Sequence, residues 1–217
     1  VRRKVVVVMT CFNRRETTIE CLRALEDGTG LDGIDTSVVL VDDGSTDGTA
    51  EAVHVRFPQV QVIRHEGPPL FWCRGMHHAL EAAMARGPDA LLWLNDDTRL
   101  HADALARLLA CADERRAATG RPSLIVGSTL DNSGQRHTYG GERRASRVRR
   151  TSFRLVPPEP RPQAVDTFNG NVVLVPRDAY EIVGNLDPAF EHAMGDIDFG
   201  LRARALGVDL WLAPGFH

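Results

Sequence analysis

Lysine is almost missing from this chain. Of 26 lysine and arginine residues, one is Lys4 and the rest are arginine. A mechanism that needs a lysine amine in the body of the chain is therefore excluded. Cysteine is sparse too. Cys11, Cys21, Cys73 and Cys111 stand far apart and form no CxxC pair, so the pattern is neither a zinc knuckle nor a disulfide framework. Reduced thiols in a cytosolic setting are the expectation. The longest aliphatic run, Val5 to Met9, falls far short of the roughly 20 residues a bilayer span needs. No signal-peptide h-region precedes it. The expected location is cytoplasmic, with attachment to a membrane surface left open. A net charge of -3 gives no reason to expect nucleic acid as a partner. Neither a P-loop nor a GxGxxG turn follows the first apolar run, which ends "MTCFNRRE".

What is present is an ordinary globular composition: 217 residues, 43% hydrophobic and 25% charged. One domain with a sizeable core is the expectation. Val5 to Met9, Val38 to Val41, Val60 to Ile63 and Ala90 to Leu94 read as short strands buried on both faces. Between and after them lie helical spacings: Arg14 to Glu26, a helix from about Gly48 capped by Ser45, Thr46 or Asp47, Gly75 to Arg86, and His101 to Ala112. Alternation of this kind predicts a doubly wound α/β fold with a mostly parallel sheet. Ligands then collect at the carboxyl ends of the strands.

The second half changes character. Leu124 to Val126 reads as a strand, Asn171 to Val175 as another, and Asp196 to Leu206 as a helix. Between them, residues 133–163 are polar and end in a proline cluster, with the arginine run "GERRASRVRR" inside. A long flexible loop, with or without a hairpin, is expected there. It is either a solvated surface segment or a cationic flap for a diphosphate or an anionic acceptor.

Three acidic clusters carry the chemistry. "LLWLNDDTRL" ends an apolar strand with Asp96 beside Asp97. Two such charges about 4 Å apart repel by about 4 kcal/mol at an effective dielectric near 20. Either both face water or a cation lies between them, and magnesium and manganese sites use such carboxylates together with phosphate oxygens. "VVLVDDGSTDG" repeats the design, with Asp42 or Asp43 able to accept from a base N–H or a ribose hydroxyl. Phe12 either flanks a nucleobase or packs in the core. In "GDIDFGLRARALG", Asp198 is placed to pair with Arg202 four residues on. That leaves Asp196 as a helix cap or as a base that takes a proton from a sugar hydroxyl.

Taken together, "VVVVMTCFNRRE", "VVLVDDGSTDGTAE", "LLWLNDDTRL" and "GDIDFGLRARALG" resemble a family 2 glycosyltransferase of GT-A fold. The likeness is closest to the bacterial rhamnosyltransferase-like branch, which serves polysaccharide biosynthesis of the cell envelope. It spans nearly the whole chain. It implies a GT-A-type sheet flanked by helices, with a nucleotide-binding half at 1–113 and a smaller mixed acceptor and catalytic half at 114–217. It implies a nucleotide-sugar donor carrying UDP or dTDP, a glycan or lipid-linked acceptor, and Mn2+ or Mg2+ as cofactor. Thr10, Phe12, Asn13, Arg14, Asp42, Asp43, Arg74, Asn95 and Asp96 are the implied nucleotide set. Asp97, with Asp96, is the implied metal ligand, and His217, shortly after Pro214-Gly215, is a further one. Asp196 is the implied catalytic base. Gly75, His77, Asn169, Gly170, Asn171 and Gly195 are the implied donor and acceptor pocket.

The chain departs from the family pattern at several places. Asn95 replaces the first Asp of the metal motif, Gly195 replaces the Glu before the base, and His77 stands where an Asn is usual. The chain stops where members of that family continue, so a C-terminal truncation is expected. A homo-oligomer is left open. Three other readings compete. A phospho-accepting receiver domain needs a late lysine that is missing here. A sugar-phosphate nucleotidyltransferase needs a glycine-rich basic loop after the first strand. A nucleotide-binding but inactive module would keep the acids without turnover.

Overall fold

The computed structural model describes residues 2–131, 133–146, 148–149 and 151–217. Arg147 and Arg150 of the arginine run lie outside the described residues.

The first half runs β1 (Arg3–Cys11), α1 (Arg15–Glu26), β2 (Ile34–Asp42), α2 (Thr49–Arg56), β3 (Gln61–Arg64), α3 (Phe71–Met84), β4 (Ala90–Leu94) and α4 (Ala104–Thr119). The second half holds β5 (Ser123–Leu130), β6 (His137–Tyr139), β7 (Gly141–Arg144), β8 (Phe153–Leu155), β9 (Gln163–Ala164) and β10 (Thr167–Phe168). It closes with β11 (Val172–Pro176), α5 (Arg177–Val183), α6 (Gly195–Ala205) and β12 (Asp209–Phe216). The main sheet has the order β3-β2-β1-β4-β11-β5-β12-β9, with β6 on β5.

The alternation along β1 explains why the fold has three layers. Val6 and Val8 face α3, α5 and α6 on one side of the sheet, while Val5, Val7 and Met9 face α1, α2 and α4 on the other. β1 pairs in parallel with β2 and with β4. The chain winds outward through β2 and β3, then returns past β1 to β4. That reversal is the topological switch point, where a crevice opens at the carboxyl ends of the strands.

β11 departs from simple winding. It lies between β4 and β5 and is antiparallel to both. Its apolar run reads the same in either direction, so periodicity could not give its polarity. Residues 133–163, expected as a flexible loop, carry β6, the antiparallel pair β7 and β8, and the start of β9. With β10 the pair forms a small three-stranded sheet. Trp93 of β4 joins this sheet to the main one: its ring lies 5.9 Å from Phe168 of β10 and 4.8 Å from Phe199 of α6.

α3 begins at Phe71, earlier than its periodicity suggests. Asp43 accepts from the Leu70 and Phe71 N–H groups at 2.9–3.0 Å, capping the helix from across the sheet. A cap from so far along the chain leaves no local sequence signal. Asp47, one of the expected caps of α2, accepts from the Thr49 N–H at 3.0 Å. Among the described residues, no helix is long and apolar enough to cross a membrane.

Gly75 is where α3 meets β1. A Cβ there would lie 2.3 Å from Thr10 Oγ1 and 2.9 Å from Thr10 Cβ. Gly75→Ala is expected to destabilise the protein by about 1–3 kcal/mol through overpacking. Urea unfolding followed by circular dichroism measures it, and an unchanged midpoint would contradict the packing.

Candidate active site

β1, β2 and β4 deliver their last residues to one rim. Cys11 of β1 stands in register with Asp42 of β2, and the fields of both Asp42 and Asp96 raise its thiol pKa, after burial. The acids closing β2 and β4 therefore flank one strand, a separation of about 10 Å at ordinary strand spacing.

Each acid has a different environment. Asp42 is fully buried. Its Oδ1 accepts from the Ser45 N–H at 2.9 Å, while Oδ2 has no hydrogen-bond partner among the described residues. Buried polar atoms without a partner are few in folded proteins. Asp43 spends its carboxylate on the start of α3. Asp96 is 5% exposed, and burial pushes its carboxyl up to about 6, opposed by Arg14 and reinforced by Asp97. Asp97 is exposed. Arg14 Nη1 donates to Asp97 Oδ2 at 2.6 Å and to Asp96 Oδ1 at 3.2 Å. A fixed cation thus sits between the paired carboxylates.

The opposite wall comes from β11 and α6. Asp196 is half-buried at the start of α6. Its Oδ2 accepts from the Gly170 N–H and its Oδ1 from the Ile197 N–H, both at 2.8 Å. Those bonds favour the carboxylate, yet burial outweighs them and raises its pKa. Gly170 is needed for this approach, because a Cβ there would lie 2.5 Å from the Trp72 ring. Trp72 in turn donates Nε1–H to Asn95 Oδ1 at 2.8 Å. Asp198 pairs with Arg202 at 2.7 Å, as the sequence indicated.

Between the walls lies a cavity of about 610 Å³, a size suited to a small-molecule ligand. It brings together Arg14, Asn95, Asp96, Asp97, Asn169, Gly170, Asn171 and Asp196 of the sequence-derived set. A second cavity, of about 600 Å³, shares Asp97 and Asn171 and adds His217. Asn171 also ties β4 to β5: its Oδ1 accepts from Thr98 Oγ1 at 2.7 Å and its Nδ2 donates to Thr129 Oγ1 at 3.0 Å.

The remaining expected residues lie outside both cavity linings. Phe12 is 56% exposed, at the rim rather than in the core. Asn13 has φ +50° and accepts from the Thr46 N–H at 2.8 Å, joining two rim loops. Thr10 packs under Gly75. Arg74 donates to the Pro188 carbonyl at 3.0 Å and pairs with Glu191. His77 Nδ1 bonds the Leu186 carbonyl at 2.7 Å. Gly195 is buried behind Asp196. Sequence reasoning missed Trp72, Tyr139 and Glu142, which all line the first cavity. Glu142 sat in an arginine run read as a solvated segment or a cationic flap, and no local periodicity pointed to it.

Would a divalent cation fit? The oxygen donors of Asp96 and Asp97 suit a hard ion, and the position already attracts the Arg14 cation. Among the described residues no group of three or more His, Cys, Asp or Glu side chains could hold a metal alone. Magnesium and manganese are commonly held by one or two carboxylates plus substrate phosphates, and Asp96 and Asp97 supply two carboxylates. His217 suits it less. The Ser128 N–H donates to Nδ1 at 3.4 Å, which puts the neutral ring's proton on Nε2. Burial holds this ring neutral, with its pKa lowered to about 4. As oriented, Nε2 offers a donor, without a partner among the described residues.

The model of glycosyl transferase family 2 matches residues 6–174. N-acetylglucosaminyl-diphospho-decaprenol L-rhamnosyltransferase of Mycobacterium tuberculosis (strain CDC 1551 / Oshkosh) is 27% identical over 203 residues, 82% of this chain and 62% of its own length. This chain therefore spans less than two thirds of that relative. S. aureus TarS shares the fold with a TM-score of 0.69 at 15% identity, over 98% of this chain and 37% of TarS. The mannosyltransferase PcManGT from Pyrobaculum calidifontis, solved with GDP-Man and Mn2+, gives a TM-score of 0.63 at 18% identity, over 99% of this chain and 55% of its own. The architecture is that of the GT-A glycosyltransferases.

Asp96 titrates with its carboxyl raised to about 6. The folded state then holds this proton to higher pH than the unfolded chain, so the contribution of Asp96 to stability falls as pH rises through that range. Arg14 opposes the rise. In metal-free protein, Arg14→Ala is expected to move the Asp96 pKa higher still, as read by carboxyl NMR titration. An unmoved or lowered value would dismiss Arg14 as the compensating charge.

Proposed function

Because this chain belongs to glycosyl transferase family 2, matched over residues 6–174, we propose that it is an inverting glycosyltransferase. It moves a sugar from a UDP- or dTDP-sugar to a hydroxyl of a glycan or lipid-linked acceptor, in cell-envelope polysaccharide synthesis. The observation that carries this reading is one cavity with Asp96 and Asp97 on one wall and Asp196 on the other. A diphosphate end and a proton-accepting end are thereby available to one substrate pair. The decaprenol-linked acceptor in the relative's name supports a lipid-linked acceptor here.

Each residue has a defined task. Asp42, fully buried at the end of β2, holds the Ser45 turn beneath the nucleobase. Phe12 stacks at the rim beside that base. Arg14 sits next to the diphosphate, and Asn95 is held in orientation by Trp72. A Mn2+ or Mg2+ ion would be held by Asp97 with Asp96, and when bound it neutralises charge on the diphosphate. Asp196 takes the proton from the acceptor hydroxyl. That oxygen forms its bond to the anomeric carbon on the face opposite the phosphate, as the sugar–phosphate bond breaks and its electrons leave with the nucleoside diphosphate. Burial raises the basicity of Asp196, which favours this transfer. Residues 1–113 serve the nucleotide and 114–217 the acceptor.

Asp196→Asn is expected to lower kcat by about a hundredfold to ten-thousandfold, the usual range for a general base, while UDP or dTDP binding by calorimetry is kept. Asp97→Ala is expected to abolish the Mn2+-dependent part of that binding. Products distinguish the nearest rival: nucleoside diphosphate supports sugar transfer, whereas pyrophosphate release would mean nucleotidyl transfer. Full activity in Asp196→Asn would remove the base assignment.

A further inference from the structure

Position 195 cannot carry the acid that the family pattern puts before the base. A Cβ on Gly195 would lie 2.3 Å from Cys73 Sγ and 3.5 Å from Phe190 Cβ. Cys73 has no easy retreat. It is fully buried, and its Sγ–H donates to the Asp187 carbonyl at 3.6 Å. The cavity nevertheless contains another carboxylate, supplied by a different element. Glu142 of β7 is half-buried and lines the same cavity as Asp196.

The two carboxylates are tied to one short stretch of backbone. Glu142 stands opposite Thr167 of β10, and the chain then runs through Asn169 and Gly170. The Asn169 side chain favours the charged form of Glu142. The Gly170 N–H donates to Asp196 at 2.8 Å. Neighbouring residues thus fix a proton acceptor on Asp196 and a second acceptor on Glu142. The charge of Asp196 and, more strongly, burial raise the Glu142 pKa. A sugar acceptor presents several hydroxyls close together, so one can meet Asp196 while another meets Glu142.

We propose that Glu142 orients the acceptor, accepting a hydrogen bond from a hydroxyl or amide N–H beside the attacking hydroxyl. It replaces, from β7, the carboxylate that Cys73 excludes from position 195. The inference rests on the glycosyltransferase reading above. It makes Glu142 a specificity-determining residue for the acceptor and gives it no part in holding the donor.

The test assays Glu142→Ala and Glu142→Gln with dTDP-rhamnose as donor and N-acetylglucosaminyl-diphospho-decaprenol as acceptor. In Glu142→Ala, kcat/KM for the acceptor is expected to fall by about tenfold to a hundredfold, the worth of a hydrogen bond to a charged group. Glu142→Gln, which keeps a carbonyl acceptor, is expected to fall less. The donor KM and the dTDP affinity are expected to change less than the acceptor kcat/KM does. An unchanged acceptor kcat/KM in Glu142→Ala overturns the proposal, as does an equal loss for donor and acceptor. A wild-type protein that releases no nucleoside diphosphate from any UDP- or dTDP-sugar overturns the reading beneath it. Wild-type turnover beside an insensitive Glu142→Ala overturns the proposal alone.

Discussion

The rim of this protein is organised by a repulsion that must be balanced. Asp96 and Asp97 follow each other at the end of a buried strand, one sealed from water and the other facing it. Their mutual field would eject one of them from the cleft. The Arg14 guanidinium reaches both and holds them. Arg14 comes from the loop after β1, the strand that β2 and β4 flank. The charge balance and the sheet topology are therefore one constraint: β1 must end beside β4 for the cation to arrive. Arginine suits the task because its planar group spans two oxygens and stays charged.

Close backbone approach is the second organising element. Gly75 lets α3 settle on Thr10, Gly170 brings an N–H to Asp196 past Trp72, and Gly195 makes room for Cys73. Each glycine replaces side-chain volume with a contact that aims something else. Among the described residues, the non-glycine positions with positive φ are Asn13, Phe71 and Met194, and each stands just before or at the start of α1, α3 or α6. Backbone strain of this type tends to gather at functional clefts, and here it borders the cavity walls.

Much of this was legible in the sequence, and the gaps have physical causes. The strands of the first half are apolar on both faces, so Val5 to Met9 and Ala90 to Leu94 announced themselves. The acids at their ends were legible because a charged pair after a buried run is costly without a purpose. Direction was not: β11 is as apolar as β4, and nothing in Val172 to Val175 says which way it lies. Partners distant in the chain were also invisible. No window of sequence shows Asp43 capping α3, Trp72 holding Asn95 or Ser128 fixing the tautomer of His217. Glu142 was hidden by its neighbours, since the arginines around it give the segment a solvated look while the fold turns that one carboxylate inward.

The place of β11 has a bearing on how the molecule assembles. Its hydrogen-bonding partners on one side, Leu91 to Leu94, leave the ribosome long before Val172 to Pro176 do. Until then β4 has an apolar, unpaired edge, the kind of template that recruits strands from other chains. A cut between the two halves would leave each with an open sheet edge, β4 in one and β11 in the other. The pairing of β11 with β4 and β5 is what removes that exposed edge from the finished molecule.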